Sequence, residues 1–178
     1  MVSRITLNTI VIPSFFMIMI ISISNHLVEI QISPWLTWGA FSYPFTFLVT
    51  ELTNRFYGPE VAQRVVYVGF VTAILLTFNF MNERIATASC LAFLVGQLLD
   101  IYVFNYFRNM SWWVAPGIAS ITASLVDTLI FFSVAFGGQQ IEWVSLAIGD
   151  FIVKLGMDLC LLLPFRFLLM RQWWHSYQ

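Results

Sequence analysis

The chain has 178 residues, of which 60% are hydrophobic and only 10% are charged, with a formal net charge of −1. Soluble domains are about 45–50% apolar and about 25% charged, and a soluble domain of this length could not bury so much apolar surface. The composition therefore excludes a soluble enzyme and a disordered chain, and it predicts an integral membrane protein in contact with the lipid bilayer. The near-neutral charge provides no basic patch for a phosphate backbone, so we expect no direct contact with nucleic acid.

Six apolar segments are candidates for membrane spans, since a spanning helix needs about 20 mostly apolar residues. They lie at residues 5–24, 34–53, 65–80, 85–107, 113–136 and 143–169. Lipid offers no hydrogen-bond partner to backbone N–H and C=O groups, and a helix pairs these groups with one another. The sequence therefore predicts an all-α fold in which residues 1–178 form a single membrane domain of six helices.

The distribution of basic residues predicts the orientation, because cytoplasmic loops are enriched in Lys and Arg. With six spans, six arginines fall on one side of the membrane and only Arg84 falls on the other. The six are Arg4, Arg55, Arg64, Arg108, Arg166 and Arg171. We therefore expect both termini in the cytoplasm.

Several ionisable side chains lie inside the predicted spans, although a charge at the centre of a membrane helix costs roughly 2.5–3.5 kcal/mol. They are Asp100, Asp127, Asp150, Lys154 and Asp158, with Glu51 near the end of the second span. Asp150, Lys154 and Asp158 are four residues apart and share one helix face, so Lys154 can pair with either acid. This face is either an internal ion pair that fixes the helix register or the polar wall of a substrate path, and the two interpretations are compatible.

The second and fourth predicted spans have features that are typical of a substrate site. Gln97 and Asp100 are three residues apart and share one face of the fourth span. Pro44 removes a backbone hydrogen bond from the second span and is expected to kink or break it, and interrupted helices are typical of transporter sites. Glu51 and Arg55 are four residues apart and can form an ion pair where this span meets the cytoplasm.

The residues that could support catalysis or metal binding are not grouped in the sequence. His26 and His175 lie at predicted span ends, and neither has a second ligand nearby. Gly149-Asp150 matches half of the G-x-G-D signature of intramembrane aspartyl proteases, but the first Gly and a Tyr-Asp partner are missing. We therefore expect no enzyme activity, no catalytic residue, no bound metal and no cofactor.

Three stretches of the chain resemble the signature of the queuosine precursor transporter family. They are TWGAFSYPFTFLVTELTNRFYGPEVAQRVV at 37–66, RIATASCLAFLVGQLLDIYVFNYFR at 84–108 and WWVAPGIASITASLVDTLIFFSVAF at 112–136. The sixth predicted span continues the resemblance with Asp150 and Lys154, so that it covers residues 37–166. Within the family, the chain is most similar to the bacterial branch that imports 7-cyano-7-deazaguanine and 7-aminomethyl-7-deazaguanine.

The resemblance implies a transporter of the bacterial inner membrane that imports a 7-deazaguanine base for tRNA modification. A carboxylate can accept both adjacent N–H donors of the guanine-type edge, an amide can bind the carbonyl edge, and aromatic or apolar side chains can sandwich the ring. The residues expected to form the pocket are Gln97, Asp100, Asp127 and Asp150. Lys154 is expected to hold Asp150 or Asp158 in place, and Glu51 with Arg55 is expected to form a cytoplasmic gate.

Two other functions remain open at this point. One is the substrate-binding membrane subunit of an energy-coupling vitamin importer, which also has six helices but needs partner ATPases. The other is a non-transporting membrane scaffold, although a scaffold does not require acids on several helices. The sequence also leaves open which base is carried (7-cyano-7-deazaguanine, 7-aminomethyl-7-deazaguanine or queuine), whether import is facilitated or proton-coupled, and whether the chain forms a homo-oligomer.

Overall fold

The computed structural model describes residues 7–27, 30–33, 36–80, 82–140 and 142–175, and most of these residues are helical. The elements are, in chain order, α1 (Leu7–Leu27), β1 (Gln31–Ser33), β2 (Leu36–Thr37), α2 (Gly39–Ser42), α3 (Pro44–Tyr57), α4 (Pro59–Phe80), α5 (Glu83–Phe107), α6 (Val114–Phe136) and α7 (Trp143–His175). The two short strands pair as an antiparallel hairpin between α1 and α2. The predicted helical fold class is confirmed, with this hairpin as its one departure in the described residues.

The starts of two predicted spans differ from the helix starts by five residues or more. The second span was expected to begin at residue 34, but Leu36–Thr37 form β2 and the first helix after it begins at Gly39. The third span was expected to begin at residue 65, whereas α4 begins at Pro59. Proline suits the first position of a helix and an acid suits its first turn, so Pro59 and Glu60 extend α4 beyond its apolar part. Gly58, at φ +93°, separates α3 from α4 in a backbone conformation that favours glycine.

Three of the described helices are long and apolar enough to cross a membrane, judged by length and composition. They are Pro59–Phe78, Glu83–Phe107 and Val114–Phe136. Helix α1 contains a shorter apolar stretch at Thr9–Ser24. The chain is therefore a multi-pass membrane protein.

The distribution of polarity across the bundle is the reverse of that in a soluble protein. Large apolar side chains point outward, such as Ile152 at 62% exposure and Leu163 at 72% exposure. The side chains of Gln97, Asp100 and Asn54 are fully buried. Polar residues in membrane helices face the bundle interior because lipid cannot hydrogen-bond to them, so this arrangement agrees with a bundle surrounded by lipid.

Arginine side chains connect the helices at both ends of the bundle. At one end, Arg84 at the start of α5 donates to the carbonyl of Val134, at 3.0 Å, and to that of Gly137. At the other end, Arg55 and Arg108 each donate to the main-chain carbonyl of the other, both at 2.9 Å. We call these the Arg84 end and the Arg108 end.

The Arg108 end is closed by an apolar cluster. The rings of Phe104 on α5 and Phe165 on α7 meet at 6.2 Å, and both side chains are almost fully buried. Ala115 and Ala119 of α6 complete this cluster. The end is thus packed across α5, α6 and α7, and the open space inside the bundle lies toward the Arg84 end.

Candidate functional site

A cavity of about 150 Å³ lies inside the bundle in the half nearer the Arg84 end. Residues of α1, α2, α4, α5, α6 and α7 line it, together with Tyr43 between α2 and α3. Its polar and aromatic lining residues are Ser24, Tyr43, Thr77, Ser89, Phe93, Asp127, Phe131, Asp150 and Lys154. The lining therefore combines flat aromatic rings with carboxylates, which is the chemistry expected of a site for a polar aromatic ring.

An ion-paired group of side chains forms one wall of the cavity. Lys154 Nζ lies 2.7 Å from Asp150 Oδ2 and 2.9 Å from Asp127 Oδ2, and it donates to Thr128 Oγ1 at 3.1 Å. Thr128 donates to Asp150 at 2.9 Å, and Tyr43 donates to Asp127 Oδ1 at 3.0 Å. These five residues, which we call the cavity cluster, join α6, α7 and the junction between α2 and α3.

Tyr43 of this cluster lies at the junction between α2 and α3, directly before Pro44. Pro44 has no N–H to donate, and the structure shows the expected interruption, because α2 ends at Ser42 and α3 begins at Pro44. Tyr43 keeps helical backbone angles, φ −60° and ψ −40°, and its N–H donates to the Gly39 carbonyl at 2.9 Å. The interruption thus removes a backbone hydrogen bond beside the residue that contacts Asp127.

Gln97 is held by α3 and does not line the cavity. Its Nε2 donates to Thr46 Oγ1 at 2.8 Å, and its Oε1 accepts from Thr50 Oγ1 at 2.5 Å. The two threonines are four residues apart on one face of α3, so they bracket the amide from consecutive turns. Gln97 therefore connects α5 to α3. The sequence had predicted that it would line the pocket.

A second group of acids lies deeper, toward the Arg108 end. Glu51 accepts from Ser120 Oγ at 2.5 Å, and Asp158 Oδ2 accepts from Ser124 Oγ at 2.7 Å. Asp100 is fully buried, and neither of its carboxylate oxygens has a hydrogen-bond partner among the described residues. We call Glu51, Asp100 and Asp158, from α3, α5 and α7, the acid layer.

The predicted pocket residues thus divide between two levels of the bundle. Asp127 and Asp150 line the cavity, whereas Gln97 and Asp100 do not. Lys154 pairs with Asp150, which was one of the two expected partners. Its second partner is Asp127 on α6. The sequence did not predict this partner, because the spacing along α7 identifies only partners on the same helix.

The expected ion pair between Glu51 and Arg55 is wrong. Glu51 faces α6 and bonds to Ser120, whereas Arg55 reaches across to the Arg108 carbonyl on α5. A spacing of four residues places two side chains on one face, but each of these side chains has a closer partner on a neighbouring helix. Arg55 therefore helps to connect the ends of α3 and α5, beside the apolar cluster that closes the Arg108 end.

The hydroxyl and phenol groups that bond to the acids were not among the predicted site residues. Tyr43, Ser120, Ser124 and Thr128 donate to Asp127, Glu51, Asp158 and Asp150 respectively. The signal was available, because Ser120, Ser124 and Thr128 repeat every four residues along α6. Such a hydroxyl stripe indicates a helix face that meets polar groups on its neighbours.

Gly96 allows the close approach of α5 to α6 beside Asp127. A Cβ atom at Gly96 would lie 3.2 Å from Asp127 Cβ and 3.7 Å from the Ala123 carbonyl oxygen. We expect Gly96→Leu to lower stability by about 1–3 kcal/mol and to reduce uptake by displacing Asp127. Thermal unfolding of the purified protein and uptake by whole cells would measure the two effects.

Gly156→Leu is the matched control for this change. Gly156 also lies within a helix, but a Cβ atom there would have no heavy atom within 4 Å. Leucine at this exposed position should leave both stability and uptake near the wild-type values. Equal effects of the two substitutions would show that the crossing at Gly96 has no special role.

Comparisons with known proteins show which family the chain resembles. The family model described as "Putative vitamin uptake transporter" matches residues 37–82 and 77–169. The "Queuosine precursor transporter" of Escherichia coli (strain K12) is 34% identical over 85% of this chain and 81% of its own length. The "Probable queuosine precursor transporter" of Haemophilus influenzae is 33% identical over 85% of this chain and 82% of its own.

A third relative is less similar to the chain than these two. The "Probable queuosine precursor transporter" of Bacillus subtilis (strain 168) is 29% identical over 69% of this chain and 67% of its own. No solved structure matches the chain significantly. The family model and the relatives together cover most of the chain, including the cavity cluster and the acid layer. The chain therefore belongs to the queuosine precursor transporter family.

Proposed function

We propose that this protein imports a queuosine precursor, a 7-deazaguanine base, through the bacterial inner membrane for tRNA modification. The observation that carries the proposal is the identity of 34% to a queuosine precursor transporter over 85% of the chain. The cavity supports it, because its lining offers both carboxylates and aromatic rings to a ligand. The substrate class includes 7-cyano-7-deazaguanine, 7-aminomethyl-7-deazaguanine and queuine.

Asp150 is the carboxylate that we assign to the guanine-type edge of the base. Its side chain is 17% exposed, compared with 4% for Asp127. Lys154 and Thr128 both bond to Asp150 Oδ2 and fix the carboxylate in place. A carboxylate held in this way can accept two adjacent N–H groups of the base.

The remaining lining of the cavity suits the other parts of the base. Phe93 on α5 and Phe131 on α6 line the cavity and provide apolar aromatic rings for the flat heterocycle. Ser24 Oγ also lines the cavity and has no hydrogen-bond partner among the described residues. It is thus available to a polar substituent of the base.

The orientation that we propose has both termini in the cytoplasm. The six spans are α1, α2 with α3, α4, α5, α6 and α7. Arg55, Arg108 and Arg166, the last of which lies over the ring of Trp112, are at the Arg108 end, which is then cytoplasmic. The cavity then lies in the outer half of the membrane, and the Phe104–Phe165 contact separates it from the cytoplasm.

A rescue assay tests the proposed function and identifies the base. The chain is expressed in bacteria that lack both queuosine precursor synthesis and their own importer. Each candidate base is supplied at low concentration, and queuosine in tRNA is measured by its altered gel mobility. We expect at least one 7-deazaguanine base to restore queuosine, and the base that works at the lowest concentration is the preferred substrate.

Two variants of similar chemistry complete the rescue assay. Asp150→Asn should prevent rescue, because it removes the carboxylate assigned to the base, whereas Glu142→Gln changes an exposed acid and should rescue as well as wild type. Failure of all three bases, with the wild-type protein present in the membrane, would contradict the proposed function.

A further inference from the structure

The acid layer brings three carboxyl groups together inside the bundle. Glu51, Asp100 and Asp158 lie on α3, α5 and α7, and their side chains are between 0% and 4% exposed. The serines that bond to Glu51 and Asp158 are one turn apart on α6. Asp100 follows Gln97 by one turn of α5, and Gln97 bonds to Thr50, the residue before Glu51, so the three acids lie at one level of the bundle.

The hydrogen bonds available to this group do not neutralise it. Serine hydroxyls on α6 donate one hydrogen bond each to Glu51 and Asp158. Both oxygens of Asp100, and Oδ1 of Asp158, have no hydrogen-bond partner in the described residues. A buried carboxyl group with unpartnered oxygens is stable only if a cation or a proton balances its charge.

The cations nearest along the chain are already engaged with other groups. Lys154, one turn from Asp158 on α7, forms its ion pairs with Asp127 and Asp150. Arg55 and Arg108, on the other side of the acid layer, donate to main-chain carbonyls. Each α6 residue that bonds to these acids is a neutral serine.

Resting on the proposed function, we propose that Glu51, Asp100 and Asp158 form a proton-binding site that couples the inward movement of protons to the uptake of the base. Three adjacent carboxyl groups in a low-dielectric interior cannot all be ionised, so they share at least one proton. Chains of buried acids commonly act as proton relays in membrane transporters. This site lies where such a relay is needed, between the cavity and the closed Arg108 end.

Lys154 provides the connection between the proton site and the cavity. It lies one helical turn from Asp158 on α7, while its ion pairs hold the cavity cluster together. Loss of a proton from the acid layer makes that layer more negative and draws Lys154 away from Asp150. Proton release to the cytoplasm therefore weakens the wall that we assign to the base, and it favours release of the base on the same side.

Transport into proteoliposomes tests the coupling directly. Purified full-length protein is reconstituted with a pH-sensitive dye inside the vesicles, and a 7-deazaguanine base is added outside. We expect addition of the base to acidify the lumen. If one proton moves with each base, a gradient of one pH unit supports about tenfold accumulation of the base. A Na⁺ gradient should support no accumulation.

Variants of the acid layer separate coupling from transport itself. Asp100→Asn and Asp158→Asn should lose proton uptake and pH-driven accumulation, while exchange of labelled base for unlabelled base at equal pH persists. Glu60→Gln, which changes an exposed acid at the start of α4, should behave as wild type. Full pH-driven accumulation by both acid-layer variants, or accumulation driven by Na⁺ instead of protons, would overturn the proton site.

An infrared titration examines the same site without any substrate. The wild-type protein should show a protonated carboxyl C=O band that changes with pH, and Asp100→Asn should lose most of it while Glu60→Gln keeps it. If the wild-type protein exchanges no base, the proposed function fails, and this band alone decides whether the proton site exists. Absence of a pH-dependent band in the wild-type protein would contradict the proton site even if the base is transported.

Discussion

Lys154→Met is expected to abolish uptake and to lower the stability of the bundle by about 3–5 kcal/mol, the usual cost of removing one partner from a buried ion pair. Lys154 Nζ lies 2.7 Å from Asp150 and 2.9 Å from Asp127. Methionine fills a similar volume but leaves the buried Asp127 and the partly buried Asp150 with no cation between them. Thermal unfolding of the purified protein and uptake by whole cells measure the two losses.

A double variant separates the charge balance from the role in transport. Lys154→Met with Asp150→Asn removes one charge of each sign and restores the net charge of the cavity cluster. We expect it to recover part of the lost stability, because contacting residues show non-additive effects. Uptake should not recover, since Asp150 is the residue that we assign to the base. Full uptake by intact Lys154→Met protein would show that the ion pair is not needed.

The helices themselves could be predicted from the sequence, because lipid restricts an apolar chain to structures that satisfy their own backbone hydrogen bonds. An apolar segment must satisfy its own backbone groups, so long apolar runs such as 113–136 predict α6 to within one residue. The starts at Gly39 and Pro59 were missed for a local reason. A β-hairpin replaces the first residues of one predicted span, and a charged first turn extends another.

The partners of the buried acids could not be found in the same way. Periodicity along α7 correctly placed Asp150 and Lys154 on one face, but it could not show that Asp127 of α6 would be the second partner. For the same reason, the spacing within α3 predicted a pair of Glu51 with Arg55, whereas Glu51 bonds to Ser120 on α6. Which residues meet across helices depends on how the helices pack, for example at Gly96, and a pattern within one helix does not contain that information.

Asp127→Asn should reduce uptake by about tenfold to a hundredfold, the range expected when a hydrogen-bonded charge worth about 1.5–3 kcal/mol is lost. Asp127 accepts from Tyr43 through Oδ1 and from Lys154 through Oδ2. Asparagine has the same shape, but only one of its two terminal atoms accepts hydrogen bonds. Its oxygen can keep the bond from Lys154 and its NH₂ can donate to the Tyr43 oxygen, so what is lost is the negative charge that pairs with Lys154.

Tyr43→Phe shows which of these two contacts matters for uptake. It removes the hydroxyl that bonds to Asp127 and leaves the ion pair with Lys154 in place. Tyr106→Phe is the matched control, because the same atom is removed from a side chain on α5 that is 76% exposed. We expect Tyr43→Phe to lower uptake by less than Asp127→Asn does, and Tyr106→Phe to have no effect.

The two substitutions together test the role of the interrupted helix. If Tyr43→Phe lowers uptake as strongly as Asp127→Asn with little change in thermal stability, then the contact between the α2–α3 junction and α6 is the essential one. The break before Pro44 would then act as the joint that moves during transport. Wild-type uptake by Asp127→Asn protein at normal membrane levels would remove Asp127 from the site. The binding wall would in that case consist of Asp150 and Lys154 alone.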